Sequence, residues 1–133
     1  MDKLFARFAN ATAKATGSCT AGPYLCLAGN RFRAEVVWKN GAAAAPAQAV
    51  AISGDTGYYW FVDPANVELV VKVLDGCAIN RQYWVFMGGL TNVRVEVTVT
   101  DVVTGAVKTY VNLDGHAFQP VQDISAFPST SCL

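Results

Sequence analysis

The chain has 133 residues, which fits one domain and allows a core that removes roughly two thirds of the unfolded surface from water. Its 10 basic and 10 acidic side chains cancel, so the net charge attracts neither phosphate backbones nor anionic lipids, and we expect no nucleic-acid partner. No apolar run reaches the ~20 residues of a membrane-spanning helix, so we expect a soluble chain without a membrane span.

The first 18 residues carry the pattern of a short amphipathic helix. Leu4, Phe5 and Phe8 lie on one face of that helix. Two interpretations stay open. In one, residues 1–18 are a native or appended peptide that docks the protein onto a protein partner or onto further copies of itself through these three apolar side chains. In the other, they form an ordinary helix packed on its own domain.

The rest of the chain is a series of short apolar segments separated by turn residues. In residues 93–100 four valines alternate with four polar or charged residues, as a half-buried strand requires. Pairs such as Asn40-Gly41 and Asp75-Gly76 favour tight reversals between segments. Strands are expected at 24–27, 31–39, 48–52, 58–62, 67–74, 82–87, 93–100 and 106–111.

This spacing predicts an all-β fold for residues 19–133. Antiparallel strands can follow one another through short turns, whereas parallel strands need crossover helices. We therefore expect an antiparallel, immunoglobulin-like β-sandwich of seven or eight strands, with a small closed barrel as the alternative. The tail from residue 117, which contains Pro120 and Pro128, is expected to be mostly irregular.

Four cysteines are expected to form two disulfides. No CxxC pair occurs, and the single histidine is distant in sequence, so a zinc site is less favoured. Of the three possible connectivities the preferred one joins Cys19 to Cys26 and Cys77 to Cys132, because the first closes a short loop and the second holds the tail. The other two stay open. Disulfides imply an oxidising compartment: extracellular, cell surface or periplasm.

Several motifs follow one another in a fixed order along residues 19–127. They are LCL at 25–27, GDTGYYWF at 54–61, KVLDGC at 72–77, WVF at 84–86 and TGAVKTY at 104–110. Together they resemble a recurrent, functionally uncharacterised β-sandwich domain of bacterial exported and surface proteins. The resemblance implies an exported bacterial module and carries no catalytic residues.

The chain contains no recognisable catalytic motif, and we expect no enzyme. His116 is the single imidazole, and it follows a turn where a histidine is usually solvated. We expect no cofactor. Calcium is the open alternative, because loops at one end of a sandwich can gather Asp55, Asp75 or Asp101 around an ion that prefers oxygen ligands.

Aromatic residues in two strands offer a candidate ligand surface. By alternation, if Trp60 faces the core then Tyr59 and Phe61 lie on the opposite face, and Tyr83 likewise opposes Trp84. An outward patch of Tyr59, Phe61 and Tyr83 would suit a glycan or a partner protein. Burial of these rings beneath a loop or helix is the alternative.

These observations predict a non-enzymatic structural or binding module of an exported bacterial protein. In the first hypothesis the module is a subunit of a larger assembly, docked through its N-terminal helix. In the alternative it binds carbohydrate through exposed aromatic side chains.

Overall fold

The computed structural model describes residues 18–20 and 22–132. The helix expected over residues 1–18, with Leu4, Phe5 and Phe8, lies outside these residues except for Ser18. The described elements are β1 (Leu25–Leu27), β2 (Phe32–Asn40), β3 (Ala43–Pro46), β4 (Gln48–Ala51), β5 (Thr56–Trp60), β6 (Leu69–Gly76), α1 (Cys77–Asn80), β7 (Gln82–Gly89), β8 (Arg94–Asp101), β9 (Val107–Asn112), β10 (Val121–Phe127) and a 3₁₀ turn (Ser129–Cys132).

The strands form two antiparallel sheets. The first has the order β1-β2-β8-β9, and β3 pairs with β2 farther along the edge that β1 occupies. The second has the order β10-β7-β6-β5-β4. Two antiparallel sheets packed around one core confirm the predicted all-β, sandwich-like architecture.

The described residues hold ten strands rather than seven or eight. The two extra strands, β3 and β10, both lie at sheet edges. The alanine-rich β3 ends at Pro46, a residue that an edge strand tolerates because one side of it needs no ladder hydrogen bond. Strand β10 fits between Pro120 and Pro128, which end it on both sides without interrupting it.

The sheet order differs from that of a constant-type immunoglobulin domain. In that domain one sheet has the strand order A-B-E-D. Strand E lies beside strand B, and strand D, on the far side of E, precedes E along the chain. Here β8 lies beside β2, and the outer neighbour β9 follows β8. The immunoglobulin-like part of the prediction does not match this connectivity.

The inward side chains of both sheets make a single core. The first sheet contributes Leu25, Leu27, Phe32, Ala34, Val36, Val95, Val97 and Val99, and the second contributes Tyr59, Leu69, Val71, Val73, Tyr83, Val85, Met87 and Phe127. Phe32 joins the two layers, with its ring centroid 4.7 Å from that of Tyr83 and 4.9 Å from that of Phe127. Burial of each large apolar side chain contributes about 1.5–3 kcal/mol relative to exposure, so this core is the main source of stability.

A buried ion pair holds the C-terminal turn against the first sheet. The Arg31 guanidinium donates to both carboxylate oxygens of Asp101, at 2.9 and 3.1 Å. Asp101 also accepts hydrogen bonds from the hydroxyls of Ser131 and Thr104, at 2.7 and 2.9 Å, and from the Val103 amide at 3.0 Å. Because both oxygens have several donors, the cost of burying this carboxylate is offset.

Both predicted cysteine pairs lie at disulfide distance. The sulfur atoms of Cys19 and Cys26 are 2.04 Å apart, and those of Cys77 and Cys132 are 1.96 Å apart. The second pair ties the start of α1 to the 3₁₀ turn after β10. It therefore anchors the chain end next to the second sheet.

Candidate ligand-binding surface

The outer faces of the two sheets differ in chemistry. On the first sheet the outward residues are Arg33, Glu35, Glu96, Thr98, Thr100 and Thr109, with Val37, Val107 and Val111. On the second sheet the outward residues of β5, β6 and β7 include Tyr58, Trp60, Val70, Lys72, Leu74, Trp84 and Phe86, a set that we call the aromatic face. The first face is the ordinary solvated side of a sheet, whereas the second presents four aromatic rings.

The strand register brings the aromatic face together as one patch. Directly paired residues are Tyr58 with Val70, Lys72 with Phe86, and Leu74 with Trp84. Cβ atoms of such pairs lie about 4.5–5.5 Å apart, so these residues are direct neighbours across the strands. Val70 is 37 % exposed and the four rings are half-buried, which leaves part of the apolar surface open.

Trp84 is held in a fixed orientation. Its indole Nε1 donates to Asn80 Oδ1 at 2.7 Å, and the Asn80 amide donates to the Ile124 carbonyl at 2.8 Å. A Cβ placed on Gly76 would overlap the indole ring, so only glycine allows the ring to lie this close to β6. The ring is thus positioned by the fold before any ligand arrives.

Lys72 lies in the middle of the aromatic face. Its Nζ is 5.6 Å from the centroid of the Phe86 ring, within the range of a cation–π contact. Phe86 in turn lies next to Trp84, with ring centroids 6.2 Å apart and planes tilted by 31°. In the part of the chain that the structure describes, no carboxylate lies within ion-pair distance of Lys72.

A shallow cavity of about 310 Å³ opens on this face. Val70, Lys72 and Phe86 line it together with the polar side chains of Thr56 and Gln122. Ligand pockets range over ~300–1,000 Å³, so the cavity suits a small group rather than a large cofactor. Its lining combines an apolar ring face, one cation and neutral polar groups.

The predicted ligand patch of Tyr59, Phe61 and Tyr83 is wrong, because all three side chains are buried. Their exposed fractions are 0 %, 8 % and 8 %. The Tyr59 hydroxyl accepts from the Leu25 amide at 3.3 Å and donates to the Ala34 carbonyl, both in the first sheet. Burial raises the pKa of Tyr59 well above its ordinary value, so this hydroxyl stays protonated as a link between the sheets.

The other two rings of that patch fill the sandwich interior as well. Phe61 stacks on Trp38, with centroids 5.2 Å apart and planes 9° from parallel. The Arg31 guanidinium lies 5.2 Å from the centroid of Tyr83, and burial raises the pKa of Tyr83. The alternation along each strand was predicted correctly, but the two faces were exchanged.

A charged residue could have identified the outward set. Lys72 on β6 must point away from an apolar core, which also turns Val70 and Leu74 outward. The antiparallel register pairs Lys72 with Phe86, and this places Phe86 and then Trp84 on the outer face. That register depends on the path of the connection from β6 through α1 to β7. The residue pattern alone does not give this path.

The other candidate residues are not brought together. His116 is exposed in the segment after β9, and Asp55 and Asp75 are exposed while Asp101 is paired with Arg31. Across residues 18–20 and 22–132 there is no group of three or more His, Cys, Asp or Glu that could hold a metal ion. The aspartates proposed for calcium do not converge.

A separate polar cluster joins the edges of the two sheets. Asp123 on β10 accepts from the Tyr110 hydroxyl of β9 at 2.8 Å and from the Ser125 amide at 3.0 Å, and it lies 3.1 Å from Lys108 Nζ. Burial acts to raise the pKa of Asp123, but these hydrogen bonds and the nearby ammonium outweigh it and lower the pKa below its ordinary value. The cluster is structural, since it fastens β9 to β10.

Comparison with known proteins gave no match. No protein-family model, no curated protein and no solved structure matches this chain. The resemblance to a domain of bacterial exported proteins stays a prediction. None of the described helices is long and apolar enough to cross a membrane. Function therefore has to be inferred from the aromatic face and its cavity.

Proposed function

We propose that this chain is a non-enzymatic carbohydrate-binding module of an exported bacterial protein, and that the aromatic face is its binding surface. The observation that carries the proposal is the contrast between the two outer faces. One holds charged residues, threonines and three exposed valines but no aromatic ring among the described outward residues of its strands, and the other holds four half-buried rings, of which Phe86 lines an open cavity. Both faces belong to five-stranded sheets. Contact with solvent therefore does not by itself explain why only one of them carries aromatic rings.

Sugar rings fit the chemistry of the aromatic face. A pyranose presents a flat set of C–H groups, with hydroxyls around its rim. Aromatic side chains offer rigid apolar planes that pack against such a face. Phe86 and Trp84 supply these planes, while Thr56 and Gln122 at the cavity can hydrogen-bond the hydroxyls.

A protein partner is the competing occupant, because aromatic residues are also enriched at protein interfaces. The centres of such interfaces, however, are depleted of charged residues, and of lysine in particular. Lys72 lies at the centre of the aromatic face, paired across the strands with Phe86. A surface with a lysine at its middle and a small cavity beside it favours a glycan over a flat protein contact.

The exported location is supported by the two cysteine pairs at disulfide distance. Disulfides persist outside the reducing cytosol, at the cell surface, in the periplasm or in the medium. Surface glycans and extracellular polysaccharides occur in the same compartments. Docking into a larger assembly through Leu4, Phe5 and Phe8 stays a prediction about residues outside the described part.

Tryptophan fluorescence provides the test. Trp60 and Trp84 belong to the aromatic face, whereas Trp38 packs on Phe61 in the sandwich interior. We expect a glycan from a broad panel to change the tryptophan emission on titration. Phe86→Ala should weaken that binding about tenfold, which corresponds to about 1.4 kcal/mol.

The matched control is Thr98→Ala, on the outer face of the first sheet. It should bind glycan as the unmodified chain does, with both variants keeping the far-ultraviolet circular dichroism of the parent. If no neutral or acidic glycan in the panel binds, the proposal is wrong. It is equally wrong if Thr98→Ala and Phe86→Ala reduce binding to the same extent.

A further inference from the structure

We propose that the ligand of the aromatic face is an acidic glycan, in which a uronate carboxylate pairs with Lys72 while a sugar ring packs on Phe86. This inference rests on the proposed carbohydrate-binding function and specifies its ligand. It is carried by the surroundings of one cation. The three relevant observations are the lack of a counter-ion among the described residues, the apolar neighbours and the cavity beside them.

Lys72 has neutral neighbours in every direction along the sheet. On its own strand the outward residues before and after it are Val70 and Leu74. Across the strands it pairs with Thr56 on β5 and with Phe86 on β7, and Phe86 pairs with Gln122 on β10. Within the described residues, the cation in the middle of this row therefore has no compensating carboxylate beside it.

The first sheet shows the usual arrangement for comparison. On its outer face Arg33 and Glu35 form an ion pair, with Nε and Oε2 2.9 Å apart. Charges on a solvated sheet face are commonly balanced in this way or fully exposed. Lys72 is neither paired in the described residues nor fully exposed, since it is half-buried among apolar side chains.

Partial burial makes this lysine a stronger site for an anion. The attraction between two charges grows as the effective dielectric constant falls, and apolar neighbours lower it. A carboxylate that accepts a hydrogen bond from an ammonium makes a charge-assisted contact, roughly twice as strong as a neutral one. A ligand carboxylate at Nζ would supply the counter-ion that residues 18–20 and 22–132 do not provide.

Phe86 and Lys72 together define which anion fits. Nζ lies 5.6 Å from the ring centroid, so the cation and the stacking plane belong to one site. A sugar ring on Phe86 brings its own substituents close to Nζ. The site offers one cation beside a cavity of about 310 Å³. A sugar that carries one carboxylate directly on a ring carbon matches this arrangement, and such a sugar is a uronic acid.

The experiment is isothermal titration calorimetry on the full chain with matched glycans. The acidic probes are oligogalacturonate and hyaluronate, and each is compared with its methyl-esterified form, which keeps the sugar and removes the charge. We expect esterification to weaken binding about tenfold for the unmodified chain. Lys72→Gln should lose this discrimination, and Lys72→Arg should retain most of it.

Lys39→Gln is the matched control, because Lys39 is an exposed lysine at the end of β2. It should discriminate between acid and ester as the unmodified chain does. Thermal melting of each variant verifies that it is folded. Loss of discrimination in Lys72→Gln alone supports the assignment.

Several outcomes would overturn it. If acids and esters bind equally while Phe86→Ala still weakens both, the acidic specificity is wrong and the carbohydrate-binding function stands. If polyglutamate binds as tightly as the uronate chains, charge alone acts and no sugar is recognised. Tighter binding of dextran sulfate would assign a sulfated sugar instead. Failure of every glycan to bind rejects both proposals.

Discussion

Replacing Asp101 by alanine should be the most damaging single change to the stability of this protein outside the apolar core. The substitution leaves the Arg31 guanidinium buried, at 7 % exposure, without its carboxylate. It also removes the acceptor for the Ser131 and Thr104 hydroxyls. Breaking a buried pair by removing one partner costs about 3–5 kcal/mol, against a total stability of about 5–15 kcal/mol for a typical domain.

The converse substitution should be milder. Arg31→Met leaves Asp101 with three donors, from Ser131, Thr104 and the Val103 amide, so the carboxylate remains partly satisfied. We expect a loss of about 2 kcal/mol, from the bidentate charge-assisted interaction that is removed. The double variant should lose less than the sum of the two, because no unpaired charge is left in it.

Urea unfolding followed by circular dichroism measures these differences. With a slope of about 1.5–2 kcal/mol per M urea, a loss of about 4 kcal/mol moves the midpoint down by about 2–2.7 M. The slopes should stay equal, since all variants bury the same surface. A midpoint shift below about 0.5 M for Asp101→Ala, or a larger shift for Arg31→Met than for Asp101→Ala, would refute this reasoning.

Two further predictions concern the links between the sheets. Tyr59→Phe should lower the free energy of unfolding in urea by about 2 kcal/mol, because it leaves the Leu25 amide without its tyrosine acceptor and the Ala34 carbonyl without its tyrosine donor. Tyr58→Phe, on the outer face of the same strand, should change it by less than about 0.5 kcal/mol. Equal losses would contradict the bridging role of Tyr59. The pKa of Asp123 is lower in the folded state than its ordinary value, so its stabilising contribution is present above the unfolded pKa of about 4 and is lost as the pH falls through the folded pKa. Melting temperatures recorded between pH 2 and 6 should therefore fall less steeply for Asp123→Asn than for the unmodified chain, and parallel curves would contradict the assigned shift.

The sequence was sufficient to predict the strands and insufficient to orient them. Each of the eight predicted strand segments overlaps an observed strand, because alternation and turn residues are local signals that each segment carries. The strands β3 and β10 were missed because the prolines in and beside them are typical of loops. These segments become strands only through pairing at a sheet edge. Local pattern does not distinguish an edge strand from a loop.

The exchange of the aromatic faces has the same origin. Alternation groups Tyr59 with Phe61 on one side, but which side faces the core depends on partners far along the chain. The Tyr59 hydroxyl is hydrogen-bonded to Leu25, which is 34 positions away in sequence, and to Ala34, which is 25 positions away. Hydroxyl groups that bridge two layers make tyrosine suitable for the interior, and this could not be read from its neighbours in sequence.

The position of β10 has a consequence for how the proposed binding surface is completed. The strand lies at the edge of the second sheet, and Val121 and Gln122 line the cavity beside Lys72 and Phe86. Chains are synthesised from the N-terminus, so the stacking rings and the cation exist long before this wall emerges. A chain that stops before residue 121 would contain every aromatic residue of the face and still lack the cavity. The wall of the proposed binding surface therefore forms only after β10 has been synthesised, later than the rings and the cation beside it.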